Sequence, residues 1–104
     1  IPFYTRVWTE TFGQSAITSE VLGMDGAKSY AEQNQMTENW DAALGQNVVT
    51  VETADARYTI WMEDEQSIEE KLKVIQDADL AGVAEWKLGF ERADVWSLIS
   101  SYIE

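Results

Sequence analysis

The sequence predicts an α+β fold, in which a mixed sheet is combined with three helices. Three observations support this class: segments with period-two alternation at 1–8 and 80–88, a run of short strands between 39 and 63, and three segments with helical spacing. The chain has 104 residues, of which 45% are hydrophobic, so it is long enough for one domain with its own core.

The first strand is predicted at residues 1–8. Its two faces consist of Phe3, Thr5 and Val7 on one side, and Tyr4, Arg6 and Trp8 on the other. Residues 9–20 are polar and are predicted to form a loop around Gly13. A short helix is predicted at 24–33, where Ala27, Tyr30 and Ala31 form a weak apolar stripe.

The middle of the chain predicts an antiparallel meander. Strands are expected at 39–43, 48–53 and 57–63, joined by turns at 44–47, centred on Gly45, and at 54–56. In the third strand Tyr58, Ile60 and Met62 alternate with Arg57, Thr59 and Trp61.

The last third predicts helix, strand and helix. Ser67 and Glu70 have the spacing of a capping box, which predicts a helix from there to Ala78. Residues 80–88 then alternate as a strand, and Asp94 can cap a final helix at 95–103. The 67–78 helix and the 80–88 strand resemble half of a βαβ unit, whose partner strand would be 1–8.

Charge and composition exclude several function classes. The formal net charge is −12, which disfavours nucleic acids and anionic membrane surfaces as partners. No cysteine or histidine is present, so thiol, Ser–His and ordinary zinc chemistry are excluded. No metal or cofactor is expected. The acidic run Glu63, Asp64 and Glu65 precedes a helix and is interpreted as a solvated capping segment.

Five tryptophans in so short a chain have two interpretations: core packing, or platforms on which sugar rings stack. Trp86 favours the platform, because Gly82 and Ala84 on the same face leave space for the indole to lie flat. Tyr4 and Arg6 are candidate ligand contacts, although Arg6 can equally form a structural ion pair. Trp8 is a candidate for the rim of the same site.

Three segments resemble family 18 glycoside hydrolases, the chitinase-like enzymes. Ile1-Pro-Phe-Tyr-Thr-Arg-Val-Trp resembles the seventh strand of their (β/α)₈ barrel, and Leu80-Ala-Gly-Val-Ala-Glu-Trp-Lys-Leu-Gly resembles the eighth. Trp61-Met-Glu-Asp-Glu-Gln-Ser-Ile-Glu-Glu-Lys resembles the segment leading to the last helices, with Asp64, Ser67 and Lys71 matching. Thr5 and Glu85 depart from the family pattern, which frequently has Gly and an apolar residue there. The likeness is strongest to the bacterial cell-wall and spore-associated branch.

The resemblance implies a single C-terminal fragment of such a barrel over 1–104. Residues 1–8 and 65–104 would be barrel-derived, and 9–64 would be a small α+β insertion. Trp86 would be the floor beneath the sugar, Tyr4 and Arg6 would contact substrate, Trp8 would lie at the rim, and the insertion with Trp40 would form one groove wall. The family's Asp-x-x-Asp-x-Asp-x-Glu acid signature and its sixth-strand Tyr-Asp pair do not occur in these residues, so no catalytic residue is assigned.

The function expected is therefore a portion of a glycosidase acting on N-acetylglucosamine-containing glycans, chitin-like or peptidoglycan, without catalytic competence of its own. Two alternatives stay open: a non-catalytic carbohydrate-binding module, and a protein-interaction or structural domain. Two strands taken from a closed barrel would expose edges, so a homo-oligomer or exchanged strands are expected of this chain. The resemblance also implies a bacterial location outside the cell or at its wall or spore.

Overall fold

A computed structural model describes residues 1–103, which form a five-stranded antiparallel sheet with three helices. The elements in chain order are β1 (Tyr4–Thr11), β2 (Ile17–Gly23), α1 (Met24–Gln33), β3 (Thr37–Asp41), β4 (Gln46–Glu52), β5 (Ala56–Met62), α2 (Glu65–Asp77) and α3 (Val95–Ile103). The expected α+β class is confirmed.

The strand order is β2-β1-β5-β4-β3, so β1 has a neighbour on each side. Val7 of β1 lies opposite Ile60 of β5, which in turn lies opposite Val49 of β4. These three side chains therefore share one face, and all three are buried. Residues at the alternate positions, such as Trp8 and Trp61, share the other face.

Two hydrophobic clusters make up the core. The helix-side cluster lies between the start of the chain and helices α2 and α3, and its buried members are Phe3, Met24, Ile68, Leu72, Val95 and Ile99. The sheet-side cluster lies between the sheet and α1, and its buried members are Val7, Ala27, Val49, Ile60 and Met62. β1 leads from one to the other, because Phe3 and Val7 point to the same side of the strand.

Most predicted elements are present with small shifts of their ends. Helix α1 has the predicted bounds, and the hairpin turn is centred on Gly45, whose φ of +66° is the left-handed conformation that glycine adopts without strain. Each strand of the meander is displaced by one or two residues toward the N-terminus. None of the helices within residues 1–103 combines the length and apolar composition that a membrane span requires.

The loop predicted at 9–20 is wrong in part, because β1 extends to Thr11 and β2 begins at Ile17. β2 is an edge strand in which only Leu22 packs against the sheet-side cluster. Its backbone pairing with β1 runs from Tyr4↔Gly23 to Glu10↔Ile17. A polar composition is common in edge strands, and it hides the strand from a hydrophobicity pattern.

The capping box of α2 lies three residues earlier than predicted. The Ser67 backbone N–H donates to Asp64 Oδ1 over 2.9 Å, and the Asp64 backbone N–H donates to Ser67 Oγ over 3.0 Å. Ser67 is thus the last residue of the box, at position N3, rather than the first, and the helix starts at Glu65.

The strand predicted at 80–88 is not formed as a regular strand. Its pairing is reduced to one parallel bridge, between Pro2 and Trp86. The reason lies in β1, whose edges are occupied by β2 from Tyr4 onward and by β5 from Val7 onward. Residues 1–3 precede both of these pairings and contact 84–86, so the expected mixed sheet becomes an antiparallel sheet with one parallel contact.

Candidate functional site

Two chain segments that are 83 residues apart meet in parallel at the start of the sheet. The Ile1 amino group donates to the Ala84 carbonyl oxygen over 2.7 Å, and the Trp86 N–H donates to the Ile1 carbonyl oxygen over 3.1 Å. The Phe3 N–H then donates to the Trp86 carbonyl oxygen over 2.6 Å. These bonds fix the backbone of Trp86 beside the first strand.

The strand-end face is the side of this pair that carries Pro2, Tyr4 and Trp86. The Pro2↔Trp86 bridge places those two side chains on one side, and Tyr4 follows at the next position of the same side. The opposite side carries Phe3, which is fully buried against α2 and α3. Trp86 by contrast exposes 65% of its surface, so its ring is available to a ligand.

The predicted alternation of residues 80–88 is retained even though the strand is not. Gly82, Ala84, Trp86 and Leu88 are exposed, whereas Val83 packs against the helix-side cluster. A Cβ atom added to Gly82 would meet no heavy atom within 4 Å. The surface below the indole is therefore open, as the small residues predict.

The loop after Trp86 folds back over the first strand. The rings of Tyr4 and Phe90 meet edge to face at 6.5 Å, and Lys87 Nζ lies 5.0 Å from the centre of the Phe90 ring. The Met24 N–H donates to the Phe90 carbonyl oxygen over 2.7 Å. This approach depends on Gly23, where a Cβ would lie only 3.1–3.2 Å from atoms of Phe90.

Arg6 and Trp8 lie on the same side of β1 as Tyr4. Arg6 donates from Nη1 to Ser19 Oγ over 2.8 Å, and none of the ion pairs among residues 1–103 includes it. The structural ion pair considered for Arg6 is therefore not present. Trp8 lies between Ser19 and Thr59 of the neighbouring strands and exposes 38% of its surface.

None of the five tryptophans is a core residue. Their exposed fractions are 38% for Trp8, 37% for Trp40, 38% for Trp61, 65% for Trp86 and 37% for Trp96. Trp96 packs one edge against the buried Phe3 ring at 5.5 Å. The core interpretation is wrong for the whole set, and the largest apolar surfaces of the chain face outward.

Glu63 is a site that the sequence interpretation missed. It was expected in a solvated acidic run, but its side chain is only 6% exposed. Lys71 Nζ donates to both of its carboxyl oxygens, over 2.7 and 3.0 Å, while Ser67 Oγ and Gln46 Nε2 donate over 3.1 and 3.0 Å. Burial raises the pKa of Glu63 above its ordinary value of 4.5, and Lys71 and Ser67 partly oppose that shift.

The sequence spacing of Ser67 and Lys71 could have indicated the cluster around Glu63. Ser67 and Lys71 are four residues apart and hence lie on one face of α2, so one acceptor can meet both. Asn47 extends the network, because its Nδ2 donates to Asp64 Oδ2 over 2.8 Å and to Gln66 Oε1 over 3.1 Å. The residues that match the family pattern here, Asp64, Ser67 and Lys71, hold the start of α2 together.

A groove of about 300 Å³ runs beside this network. Its lining includes Lys28, Glu63, Asp64, Arg92 and Asp94, and Arg92 pairs with Asp94 over 3.7 Å and with Asp25 over 3.2 Å. Within residues 1–103, no group of three or more carboxylates is arranged to hold a metal ion. Of the charged lining residues named here, Glu63, Arg92 and Asp94 are in ion pairs.

No family model matches the chain. A curated relative is the cortical fragment-lytic enzyme of Bacillus subtilis, which is 27% identical over 98 residues. That match covers 93% of this chain but 23% of the relative, so the chain spans about a quarter of the length of that protein.

Solved structures share the fold over nearly the whole chain. The spore cortex-lytic enzyme of Bacillus megaterium matches with a TM-score of 0.85 at 22% identity, over 100% of this chain and 24% of its own. A chitinase from Chromobacterium violaceum matches with a TM-score of 0.82 at 19% identity, over 99% and 31%. A glycoside hydrolase family 18 N-acetylglucosaminidase from Paenibacillus barengoltzii matches with a TM-score of 0.73 at 22% identity, over 97% and 32%.

The resemblance to family 18 glycoside hydrolases is confirmed. At these identities the structures show a shared fold, and the matching region is between 24% and 32% of the length of each of the three enzymes. Because the cortex-lytic enzyme matches over the full chain, the shared fold includes the strand pair at 1–3 and 84–86 as well as the sheet.

Proposed function

We propose that this chain is the part of a larger family 18-like glycosidase that forms the floor and one wall of its substrate groove. The substrate class is an N-acetylated β-linked glycan, chitin-like or peptidoglycan. In this proposal residues 1–8 and 65–104 belong to the barrel of the enzyme, and 9–64 form an insertion between its last two strands.

The exposed indole of Trp86 is the observation that carries the proposal. A largely exposed aromatic ring on a backbone fixed by two hydrogen bonds offers a flat, positioned surface on which a ligand can stack. Sugar rings present C–H groups on their faces and hydroxyls at their edges, which suits a ring beside a polar neighbour such as Tyr4. Arg6 supports the same role, because its guanidinium has donors that Ser19 does not use.

Titration with N-acetylglucosamine oligomers tests this role. We expect saturable quenching of tryptophan fluorescence by the trimer, and we expect Trp86→Ala to abolish it while Trp86→Phe retains part of it. Leu88→Ala is the matched control, since it truncates an equally exposed but aliphatic side chain on the same side of the segment. Unchanged quenching in Trp86→Ala, with the fold intact by circular dichroism, would refute the assignment.

We propose that the chain performs no glycosidic cleavage by itself. Its buried acid, Glu63, has both oxygens bonded to Lys71 and is not free to protonate a leaving group. Release of chromophore from a chromogenic chitobioside by the purified chain, lost in Glu63→Gln, would contradict this proposal.

We also propose a location outside the cell, at the wall or in the spore envelope of a bacterium. The names of the cortical fragment-lytic enzyme and the spore cortex-lytic enzyme support it. Fractionation of sporulating cells with an antibody against this chain tests it.

A further inference from the structure

Within residues 1–103, helical packing covers one face of the five-stranded sheet and leaves the other without a helix. α1 packs on the side of Val7, Val49 and Ile60, where the sheet-side cluster is buried. The opposite side, here called the outer sheet face, has at its centre Trp8, Val48, Thr50, Thr59 and Trp61. The register aligns them in rows, with Trp8 opposite Thr59, Thr59 opposite Thr50, and Trp61 opposite Val48.

Two shallow grooves meet on this face and share Trp61, Val48 and Thr50. The first is continued by Asn39, Trp40 and Leu44 toward the edge strand β3. The second is continued by Thr59 and Arg57 toward β1. Trp61 is therefore the central aromatic side chain of an open path that crosses three strands.

At the rim of the outer sheet face, Arg57 is paired with acidic side chains. Arg57 donates from Nε to Glu52 over 2.8 Å and lies 3.6 Å from Glu10. The centre consists of indole, valine and threonine side chains and contains no carboxylate, so it offers apolar area and the hydroxyl group of Thr50, while Thr59 is buried between its neighbours. An uncharged ligand with both C–H faces and hydroxyls fits this composition, whereas the net charge of −12 opposes an anionic one.

The outer sheet face is continuous with the strand-end face. Tyr4, Arg6 and Trp8 lie at successive outward positions of the first strand, and Arg6 comes one position before the Val7↔Ile60 pair, beside Trp61. A linear ligand lying on Trp86 and following β1 would thus reach Trp8 and Trp61. The two tryptophan surfaces belong to the same side of the molecule.

We propose that the outer sheet face is a second glycan subsite, in which Trp61, flanked by Val48 and Thr50, binds distal N-acetylhexosamine units of an uncharged β-linked chain. This inference rests on the proposed function, because it takes the same substrate class. It adds a length dependence: short oligomers occupy Trp86 alone, and longer ones also occupy Trp61.

Calorimetric titration of the chain with the dimer and the hexamer of N-acetylglucosamine tests the subsite. We expect the hexamer to bind at least tenfold more tightly than the dimer. We expect Trp61→Ala to remove this difference in affinity without changing the affinity for the dimer. Trp61→Phe should keep most of the difference. Val74→Ala, an exposed apolar truncation on α2, is the control and changes neither affinity. Should Trp61→Ala fail to fold, Val48→Ala, which truncates the side chain paired with Trp61 on the neighbouring strand, gives the same comparison.

Hexamer binding that Trp61→Ala and Val48→Ala leave intact would overturn the subsite. A second result would also overturn the subsite: the wild-type chain self-associates, Trp61→Ala is monomeric by mass, and the variant keeps the affinity of the wild type for the hexamer. In that case a second copy of the chain, and not a glycan, would occupy the outer sheet face. Failure of the Trp86 site gives a different result. If the Trp86 site is wrong, Trp86→Ala binds the sugar dimer as the wild type does. If only the second subsite is wrong, Trp86→Ala still loses dimer binding, and Trp61→Ala keeps the preference for the hexamer.

Discussion

The sheet-side and helix-side halves of the molecule differ in how their backbone is held in place. In the sheet, three of the four strand pairings follow from hairpins or a local meander, and only β1–β5 joins distant segments. On the helix side, the segment that carries Trp86 has almost no regular structure and is held by residues 1–3 and by packing against α2 and α3. The candidate site therefore depends on the half with fewer backbone constraints.

This difference implies that mutations in the helix-side cluster affect both stability and the site, whereas mutations on the exposed faces affect binding alone. The predictions that follow test this distinction, from the largest expected effect to the smallest.

Phe3→Ala should produce the largest loss. Phe3 is fully buried and packs against the edge of Trp96, so its truncation leaves a cavity in the helix-side cluster. We expect the free energy of unfolding to fall by about 3–5 kcal/mol, measured by urea denaturation. Tyr4→Ala, which truncates the neighbouring exposed ring, should cost less than half as much. Equal losses would mean that the two sides of the strand are not distinct.

Gly23→Ala tests the contact between the sheet and the loop after Trp86. A Cβ at this position lies 3.1–3.2 Å from Phe90, including its backbone, and we expect a loss of about 1–3 kcal/mol together with weaker binding at Trp86. Gly82→Ala is the matched control, because its Cβ meets no atom within 4 Å, and it should change stability by less than about 1 kcal/mol in either direction. A neutral Gly23→Ala would show that the loop adjusts independently.

Ser67→Ala removes one half of the capping box and one donor to Glu63. We expect thermal and urea denaturation to show a loss of about 1–2 kcal/mol, because a cap is lost and a buried carboxylate is left with fewer donors. Ser100→Ala, an exposed position of α3, should be nearly neutral. If both variants behave alike, the cap does not contribute to the stability of α2.

The smallest effect is a change in the pH dependence of stability. Because burial raises the pKa of Glu63 in the folded state, the folded chain holds a proton over a pH range in which the unfolded chain has lost it. The contribution of Glu63 to the free energy of unfolding therefore falls as pH rises from about 4.3 through that raised pKa.

Urea denaturation at several pH values between 4 and 7 measures this contribution. The curve for Glu63→Gln should decline less with rising pH than that of the wild type, and Lys71→Met should decline more, since Lys71 favours the ionised carboxylate. Parallel curves for all three proteins would show that Glu63 titrates as it does in the unfolded chain.

Local sequence patterns account for much of the sheet and of the helices. Met24–Gln33 and the turn at Gly45 follow from spacing and from glycine, and alternation assigned the two faces of β1 correctly. β2 was missed because its strand state comes from pairing with β1 rather than from its own side chains. The start of α2 was misplaced because two four-residue segments, 64–67 and 67–70, each have a capping residue and a partner three positions later, and only the fold selects Asp64.

The site shows the same division. The sequence identified Trp86 and its small neighbours, and the resemblance supplied their shared surface with Tyr4, but Trp61 was treated as one of several tryptophans. Its position at the centre of the outer sheet face depends on the β1–β5 and β4–β5 registers, which no local pattern contains. Glu63 was assigned to solvent because its burial is produced by Gln46 and Lys71, 17 and 8 residues away.

The sequence by itself determined the α+β class, the alternation that separates Phe3 from Tyr4, and the resemblance to family 18 enzymes. These features depend on local periodicity and on residue identity. Tertiary structure alone decided that all five indoles face outward, that 84–86 pairs with 1–3 by a single bridge, and that Glu63 is buried. Each of these outcomes depends on contacts between segments that are distant in the sequence. A strand edge or a cavity accepts one partner, and local patterns do not indicate which segment that partner is.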